Sequence, residues 1–563
     1  MGSAPVWSTA CPDWEKRIVD RRSLIPFDPL FPESARSGLG VFNALTVVDV
    51  LGSPPMVDLA RPWLTEFVGS VFGAYDPESG RRLVREWLLL ISKKNTKSTS
   101  AGLLMLTFLI LNWRQAGEFG ILAPTVEVAN NAFKPARDAI KADEDLSALL
   151  HVQDHIRTIT HRETGATLQV VAADSETVAG KKWIVTLVDE LWLFGKKANA
   201  EDMLREATGG LASRPEGCVI WLSTQSNDPP AGVFKQKLQY ARGVRDGRIV
   251  DPEFCPVLYE FPDSMLNDGS YKDPDNFYVT NPNIGASVDE AFLVREFGKA
   301  QNDGEESLRG FLAKHLNVEI GLNLRSDRWT GADFWQSAGD ASLTLAAIIE
   351  RSDVLMLGLD GGGLDDMLGA AVLGREMDTG RWLHWGCAWI HPIALERRKS
   401  EAARWKDFAA DGHLVIVAAV GDDIAQVVDL AMRLEDSGKL AQVAVDPIGI
   451  SDIVAALNDA GIEEDVDGKD RIIGIPQGYK LTGSIKTVER RLAEGTLRHA
   501  GAPLMAYCVG NAKVEARGNA VLITKQASGF AKIDPLCALF NAATLMSIAP
   551  EPEICSDMEV MSV

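Results

Sequence analysis

The stretch from Glu86 to Leu106 reads E-W-L-L-L-I-S-K-K-N-T-K-S-T-S-A-G-L-L-M-L. An apolar run, Trp87–Ile91, leads into a short polar loop that ends in Lys97-Ser98, and a second apolar run, Ala101–Leu111, follows. A buried strand, a loop and a helix whose N-terminus faces an anion form the layout of a phosphate-binding loop. In such a loop Lys97 reaches the terminal phosphates of a nucleotide and the Ser98 hydroxyl binds Mg²⁺. The usual pattern G-x-x-x-x-G-K-[ST] places Gly at positions 91 and 96, where this chain has Ile and Thr. Taken alone, the stretch therefore fits a basic turn before a buried helix equally well.

A second motif favours the nucleotide site. The β-rich run Ile184–Val188 ends in Asp189-Glu190, and two acids at the C-terminal end of an apolar strand are the second half of an ATP site. There Asp189 holds the Mg²⁺ shell and Glu190 polarises the attacking water. A third apolar strand, Cys218–Leu222, ends in small polar residues that can sense the γ-phosphate and pass its loss to a neighbouring domain: Ser223, Thr224 and Gln225.

Composition sets bounds on the protein class. A chain of 563 residues with 46% hydrophobic and 24% charged residues predicts an ordinary globular protein of two to four domains. The seven cysteines are scattered without a C-x-x-C pair, which argues against a zinc site or a disulfide framework and favours a reducing cytoplasm. No signal peptide is recognisable at the N-terminus, and the apolar run 101–111 is shorter than the roughly 20 residues that a membrane span needs.

The net charge of −21 excludes strong binding of a DNA duplex through bulk electrostatics. Contact with DNA would have to be local, transient or supplied by several subunits around a pore.

Shifts in composition divide the chain. Residues 56–250 carry the strand–helix alternation of a doubly wound sheet, with Phe119–Ala123 and Leu168–Ala172 as further strand candidates. Residues 346–550 predict a second α/β domain. We expect the remaining parts to be an N-terminal arm (1–55), a linker or lid segment (251–345) and a flexible acidic tail (551–563).

Three aspartates mark the second domain. Asp360 ends an apolar strand of a predicted hairpin, Asp446 ends a second strand, and Asp534 lies in the first turn of an apolar helix. Such acids can converge at one edge of a sheet, where Mg²⁺ or Mn²⁺ takes oxygen ligands. Two ions about 4 Å apart would clamp the attacking water and the leaving oxygen of a phosphodiester. Taken singly, each Asp is more simply a cap or a strand end.

Asp365 and Asp366 are further candidates, one of them for an outer metal and at least one for a solvated turn.

These motifs, in this order, resemble the large subunit of tailed-phage terminases. The resemblance spans nearly the whole chain and rests on five segments: S-K-K-N-T-K-S (92–98), L-V-D-E (187–190), L-S-T-Q (222–225), G-T-L-R-H-A-G-A-P-L (495–504) and K-I-D-P-L-C-A-L (532–539). It implies an α/β protein, in which a P-loop NTPase domain of the additional-strand class, with a doubly wound parallel sheet, is joined to an RNase H-like nuclease domain.

The resemblance also implies roles for individual residues. The catalytic residues would be Glu190 for ATP hydrolysis and Asp360, Asp446 and Asp534 for DNA cleavage. Ser223, Thr224 and Gln225 would couple hydrolysis to movement. ATP would be bound by Ser92, Lys93, Lys94, Asn95, Thr96, Lys97, Ser98 and Asp189. The divalent metals would be held by Ser98, Asp189, Asp360, Asp366, Asp446 and Asp534.

The implied function is that of a viral DNA-packaging motor. It would use ATP and Mg²⁺, with Mn²⁺ able to substitute at the nuclease site, to move double-stranded DNA into a procapsid and to cut concatemeric DNA. Expected partners are the portal protein of the procapsid, a small terminase subunit and further copies in a ring, a pentamer by resemblance, with no membrane. The expected location is the cytoplasm of the infected bacterial host, with transient docking on the procapsid.

Three departures from the family pattern are visible. Thr96 stands where Gly is usual, and because a β-branched residue tolerates a positive φ poorly, a different loop path is expected. Lys93 or Lys94 stands where Arg is common, and a lysine cannot make the bidentate fork of an arginine. The adenine-contacting pattern P-W-Q reads P-W-L at residues 62–64.

Arg205 and Arg214 are candidates for an arginine acting on a neighbour's ATP, although each is more simply a surface residue.

Two alternatives remain open. Another ATP-dependent nuclease or recombinase could use the same two folds, but it would need a sequence-reading module, and the sequence contains no zinc finger or clear helix-turn-helix. The irregular loop would also fit a degenerate ATPase that serves as a packaging scaffold.

Overall fold

The computed structural model describes residues 5–173, 181–197, 199–320, 329–447, 451–463, 468–517, 520–524 and 532–548. The chain forms two compact units, Met1–Ile320 and Gly321–Val563. In the described part of the chain, no helix is both long and apolar enough to cross a membrane.

The first unit contains an eight-stranded sheet and a separate two-stranded ribbon. The ribbon consists of β1 (Tyr75–Asp76) and β2 (Arg81–Arg82). The strands of the sheet are β3 (Glu86–Leu90), β4 (Glu118–Ala123), β5 (Leu150–Gln153), β6 (Thr158–His161), β7 (Thr167–Ala172), β8 (Val185–Val188), β9 (Cys218–Ser223) and β10 (Phe254–Leu258).

The order of strands in this sheet is β10-β3-β9-β8-β4-β7-β6-β5. Neighbours from β10 to β7 pair in parallel, and β6 and β5 add an antiparallel edge. β9 lies between β3, which precedes the phosphate loop, and β8, which precedes the acid pair. An extra strand between these two defines the additional-strand class, so the predicted class is confirmed.

Helices follow the parallel strands as crossover connections, which is why these strands can be buried on both faces. All five residues of β10 and all six of β9, for example, are buried. The helices of this unit are α1 (Trp14–Val19), α2 (Pro32–Ala44), α3 (Met56–Leu59), α4 (Pro62–Gly73), α5 (Lys97–Ile110), α6 (Val126–Lys141), α7 (Glu144–Leu149), α8 (Leu191–Phe194), α9 (Ala200–Gly209), α10 (Gly232–Arg245), α11 (Asp263–Asp268), α12 (Glu290–Asn302) and α13 (Glu305–His315).

The structure corrects the expected boundaries on both sides of this unit. Residues 251–345 do not form one linker, because β10 pairs with β3 at the edge of the sheet and the first unit extends to Ile320. The five residues of β10 are apolar, and all of them are buried where the strand pairs with β3. Residues 5–55 are not a free arm either, since Trp14 and Phe42 are buried and the Arg245 guanidinium lies 3.9 Å from the centre of the Trp14 ring.

The second unit has a mixed sheet. Its strands are β11 (Ser352–Gly361), β12 (Met367–Glu376), β13 (Trp382–Ile390), β14 (Leu414–Ile416), β15 (Leu440–Val445), β16 (Ile472–Gly474) and β17 (Leu497–His499), with a separate ribbon of β18 (Lys513–Arg517) and β19 (Ala520–Thr524). β11 and β12 form the predicted antiparallel hairpin, β13 extends it to a meander, and β15 and β16 continue from β11 in parallel. This 3-2-1-4-5 order is that of the RNase H-like fold, as predicted, with β14 and β17 added at β13.

Helices cover both faces of this second sheet. Alternate residues of β11 feed two cores, with Val354 and Met356 in one and Leu355 and Leu357 in the other. The helices are α14 (Ala332–Trp335), α15 (Leu345–Arg351), α16 (Pro392–Arg397), α17 (Lys399–Ala410), α18 (Asp422–Glu435), α19 (Ser451–Asp459), α20 (Thr482–Ala493), α21 (Pro503–Asn511) and α22 (Asp534–Met546).

The start of α22 lies directly on the sheet. A Cβ at Gly369 of β12 would stand only 2.5 Å from the backbone nitrogen of Pro535, so glycine permits this close approach. The predicted helix that carries Asp534 is thereby held over the ends of β11 and β12.

Candidate nucleotide and nuclease sites

The phosphate loop joins β3 to α5 and keeps a left-handed turn. Thr96 has φ +57° and Lys94 has φ +73°. The expectation that Thr96 diverts the loop is therefore wrong, because this threonine adopts the conformation that glycine usually provides. A left-handed residue with a side chain costs roughly 1–2 kcal/mol, so other contacts must hold it.

A buried asparagine network supplies these contacts. Asn95 donates to the Ser92 carbonyl (3.1 Å) and to Asn281 Oδ1 (2.9 Å), and its own Oδ1 accepts the Asn283 backbone N–H (3.0 Å). Asn283 Nδ2 also donates to Thr96 Oγ1 (3.1 Å). The Asn95 side chain therefore braces the loop and does not face a ligand. The partner segment T-N-P-N-I-G (280–285) lies in the stretch first assigned to a linker, which is why sequence reasoning missed it.

The predicted nucleotide residues meet at one charged centre. Lys97 Nζ lies 2.5 Å from Glu190 Oε1 and 3.4 Å from Asp189 Oδ1. Ser98 Oγ donates to Asp189 Oδ2 at 3.4 Å. Lysine, serine and two acids from motifs about 90 residues apart thus lie within hydrogen-bonding or ion-pair distance of one another.

Burial and pairing compete at this centre. Burial disfavours the charged form of Lys97, but Glu190 and Asp189 outweigh it and raise the pKa of the lysine. Burial raises the pKa of Asp189, which Lys97 offsets only in part. For Glu190 the charge of Lys97 and the hydrogen bonds prevail over burial, so its pKa is lowered and the side chain stays a carboxylate. A carboxylate base beside a lysine and a serine is the set that ATP hydrolysis needs.

Trp192 links this centre to the coupling motif. Its indole N–H donates to Glu190 Oε2, and its backbone N–H donates to Ser223 Oγ (3.1 Å). Ser223, Thr224 and Gln225 are all buried at the end of β9. Sequence reasoning did not select Trp192, although it stands two residues after Glu190.

Residues after position 250, beyond the predicted end of the ATPase domain, form hydrogen bonds with Gln225 of the coupling motif. Asn317 Oδ1 accepts the Gln225 backbone N–H (2.9 Å), and Lys314 Nζ donates to the Gln225 carbonyl (2.5 Å). Gln225 Nε2 contacts Glu260 (3.5 Å), which is itself paired with Arg245 (2.8 Å). The end of β9 is therefore tied to β10 and α13.

A cavity of about 240 Å³ is lined by Pro62 and Trp63 of the P-W-L segment and by Asn281, which accepts a hydrogen bond from Asn95 of the phosphate loop. Trp63 donates its indole N–H to Asn283 Oδ1 (2.6 Å), the same asparagine that contacts Thr96. Arg61, Tyr259 and Tyr278 are among the other residues that line the cavity. Its size and aromatic lining suit a planar ring such as a nucleobase.

Several arginines have roles within the fold. Arg82 and Arg85 donate to backbone carbonyls of residues 211, 214 and 216, so both arginines stabilise the fold. Arg205 is exposed and pairs with Glu201 of its own helix (3.1 Å). Arg214 donates to the carbonyl of Ser213 (3.2 Å).

The three predicted nuclease acids lie at one edge of the second sheet. Leu359 and Val445 are paired in register, so Asp360 and Asp446 are the next residues on adjacent parallel strands. A Cβ at Gly361 would stand 3.2 Å from the Asp534 Cβ, which places the start of α22 against the end of β11. Side chains from the ends of β11 and β15 and from the start of α22 can therefore reach the same part of the sheet edge. Among the described residues, no three acidic, histidine or cysteine side chains stand close enough together to hold a metal ion.

The two further acids are engaged by basic residues. The buried Lys532 forms an ion pair with Asp366, which also accepts the Met367 backbone N–H (2.8 Å), and Asp365 lies 3.3 Å from Arg397. Burial lowers the pKa of Lys532, against the opposing charges of Asp534 and Asp365. Lys532 is the one lysine of the quoted K-I-D-P motif and carried no assigned role in the sequence.

Comparison with known proteins identifies both domains. A family model of the terminase large subunit ATPase domain matches residues 62–243, and one of the terminase large subunit endonuclease domain matches residues 255–549. This chain belongs to the terminase large subunit family. It therefore combines an ATPase domain with an endonuclease domain, and the predicted resemblance is confirmed.

Individual relatives are distant. Terminase, large subunit, of Enterobacteria phage HK97 is 24% identical over 502 residues, which are 87% of this chain and 90% of that protein. Protein YmfN of Escherichia coli (strain K12) is 24% identical over 304 residues; the match covers 52% of this chain and 62%, less than two thirds, of YmfN. The crystal structure of the HK97 bacteriophage large terminase matches with a TM-score of 0.47 and 18% identity, covering 91% of this chain and 99% of that one.

Proposed function

We propose that this terminase large subunit hydrolyses ATP in residues 5–320 to drive double-stranded DNA into a procapsid, and cuts concatemeric DNA with the acids of its second unit. The observation that carries the proposal is the set of ion pairs and hydrogen bonds that joins Lys97 and Ser98 to Asp189 and Glu190. In the same chain, three aspartates lie at one edge of the second sheet. Neither a scaffold nor a simple nucleotide binder needs a paired carboxylate base.

In the ATP site, Lys97 leaves Glu190 to pair with the nucleotide phosphates, because one ammonium group cannot bind both fully. Ser98 and Asp189 hold Mg²⁺, and Glu190 takes the proton of the attacking water. The backbone of residues 92–96, kept in shape by Asn95, wraps the phosphates. Ser223, Thr224 and Gln225 pass the loss of the γ-phosphate to α13 through the contacts with Asn317 and Lys314.

In the nuclease site, Asp360, Asp446 and Asp534 hold divalent ions, Mg²⁺ or Mn²⁺. Carboxylate oxygens are the ligands that these hard cations prefer, and the register of β11 and β15 and the start of α22 bring the three residues to the same edge of the sheet. When bound, these ions would activate the attacking water and stabilise the leaving oxygen of the phosphodiester. Asp366 joins them only if Lys532 releases it.

The proposed partners are DNA, the portal protein, a small terminase subunit and other copies of this chain in a ring, a pentamer by resemblance. A ring reconciles DNA handling with the net charge of −21, because a few basic residues facing a shared pore suffice to grip phosphates. The proposed location is the cytoplasm of the infected bacterium, with docking on the procapsid during packaging.

The first experiment incubates the full chain with supercoiled plasmid and Mn²⁺, beside Asp360→Ala and Asp446→Ala. We expect cleavage by the unaltered protein and by neither variant. Asp378→Ala is the matched control, because Asp378 is exposed in the turn after β12, at the end of the hairpin away from Asp360. Equal cleavage by all four folded proteins would refute the assignment of the acids, and cleavage by none would favour a pure motor or a scaffold.

A further inference from the structure

Lys314, near the end of α13, is a buried lysine that contacts three functional segments. Only 6% of its surface is exposed. Its Nζ lies 3.1 Å from the centre of the Trp192 ring and donates to the Gln225 carbonyl at 2.5 Å. Its own backbone carbonyl accepts the N–H of Lys93 at 2.8 Å. One residue therefore joins the phosphate loop, the segment after Glu190 and the coupling motif.

The position of Trp192 explains why this matters for Glu190. Among the described contacts, the Glu190 carboxylate has two hydrogen-bond donors, Lys97 on Oε1 and the Trp192 indole on Oε2. Once Lys97 pairs with nucleotide phosphates, the indole is the contact left to orient the carboxylate. The orientation of the indole is in turn restrained by the Lys314 side chain, whose nitrogen lies directly against the face of the ring.

The placement of Lys314 carries an energetic penalty. Burial lowers its pKa to about 6; Glu190 opposes the shift, and Lys93, Lys97 and Lys196 add to it. An amine kept in such surroundings needs compensating contacts, and those with Trp192 and Gln225 provide them.

We propose that Lys314 is a positioning residue for ATP hydrolysis, which fixes the Trp192 indole and through it the Glu190 carboxylate, and which ties that carboxylate to the backbone of Gln225. This inference rests on the role proposed for Glu190. Lys314 lies at the end of α13, six residues before the boundary of the first unit at Ile320. The end of this helix would therefore position, through Trp192, the carboxylate that activates water.

The test is a double-mutant cycle in the full chain with Lys314→Met and Trp192→Phe. Methionine keeps most of the volume and removes the nitrogen, while phenylalanine keeps a ring and removes the N–H. We expect each single variant to lower kcat for ATP at least tenfold, with KM and the affinity for a fluorescent ADP analogue within twofold. The double variant should be no slower than the slower single variant, since both act through one contact.

Lys196→Met is the matched control. Lys196 lies over the same Trp192 ring, at 5.4 Å, but it is more exposed and pairs with Asp228 (2.8 Å). We expect its kcat within twofold of the unaltered protein. If Lys314→Met unfolds the first unit, Lys314→Gln, which retains a donor for the Gln225 carbonyl, takes its place in the cycle.

The outcomes are distinguishable. Multiplicative losses in the double variant, or a Lys314 variant that loses nucleotide affinity at unchanged kcat, would overturn the positioning role. A folded Lys314→Met with unchanged kcat, beside an inactive Glu190→Gln, would refute Lys314 alone. An active Glu190→Gln would refute the base itself and this inference with it.

Discussion

The two candidate sites handle buried negative charge in opposite ways. In the ATP site, one lysine satisfies both acids, with Lys97 within 3.4 Å of Asp189 and Glu190. At the nuclease edge, Asp360 and Asp534 are almost as buried, at 9% and 2% exposure, but the nearby Lys532 pairs with Asp366. The first site pairs its acids with a lysine of its own phosphate loop, whereas at the second Lys532 forms an ion pair with Asp366 and also acts on Asp534 through its charge.

In each site, the shape of the backbone and the balance of charge depend on different groups of residues. The ATP site relies on uncharged asparagines for its loop shape and on an internal ion pair for its charge. The nuclease edge obtains its shape from strand register and from glycine under α22, and its acids are those that we propose to hold divalent ions. Four predictions follow from the two sites and the units that carry them, in order of decreasing expected effect.

The largest effect should come from separating the two chemistries. Glu190→Gln should lower ATP turnover at least 100-fold, because an amide cannot accept a proton, and leave DNA cleavage intact. Asp446→Ala should do the reverse. Phosphate release and plasmid cleavage, measured on the same preparations, check both. Loss of both activities from either single change would contradict two independent sites.

Asn95→Ala should destabilise the first unit by about 3 kcal/mol, since it leaves the buried Asn281 side chain and the Asn283 backbone N–H without this partner. Urea unfolding measures the loss. The control is Asn302→Ala, whose side chain is exposed at the end of α12 and should change stability by less than about 0.5 kcal/mol. Equal effects of the two changes would show that the network does not hold the loop.

Mild acid should destabilise the second unit. Burial lowers the pKa of His384 to about 3 and that of His499 to about 4, from 6.5. The folded unit therefore keeps both neutral while the unfolded chain takes up protons below pH 6.5. The stabilisation is complete above pH 6.5 and is lost as the pH falls towards 4, by about 1.4 kcal/mol per pH unit for each histidine. Thermal unfolding between pH 7 and 5 measures the slope.

His499→Gln is the matched variant for this prediction, because its amide can still donate to the Trp335 carbonyl that His499 contacts at 2.7 Å. Its stability should depend less steeply on pH. An unchanged slope would exclude His499 as a source of the acid sensitivity.

The smallest effect should come from the loop glycine position. Thr96→Gly relieves the left-handed backbone but loses the hydrogen bond from Asn283, so stability should change by less than about 1 kcal/mol. Thr96→Val keeps the branched shape without the hydroxyl and should be the less stable of the two. Greater stability of the valine variant would mean that the hydroxyl does not hold the turn.

Local patterns predicted the pieces of both sites. The β3–loop–α5 layout, the acids after β8 and the hairpin of β11 and β12 follow from apolar runs that end in polar residues. The loop path at Thr96 was predicted wrongly, since local propensity opposes a turn that distant asparagines enforce. The 251–345 boundary was misjudged because a loop-rich composition conceals the five apolar residues of β10.

Residue types and their order after apolar strands were enough to predict a phosphate loop, an acid pair and three further acids. The residues that contact these groups from distant segments became visible in the folded chain: Asn281 and Asn283 under the loop, Trp192 and Lys314 behind Glu190, and Lys532 at the nuclease edge. Strand order and helix packing create these contacts between residues up to 188 positions apart in the sequence, and no local pattern records such a pairing.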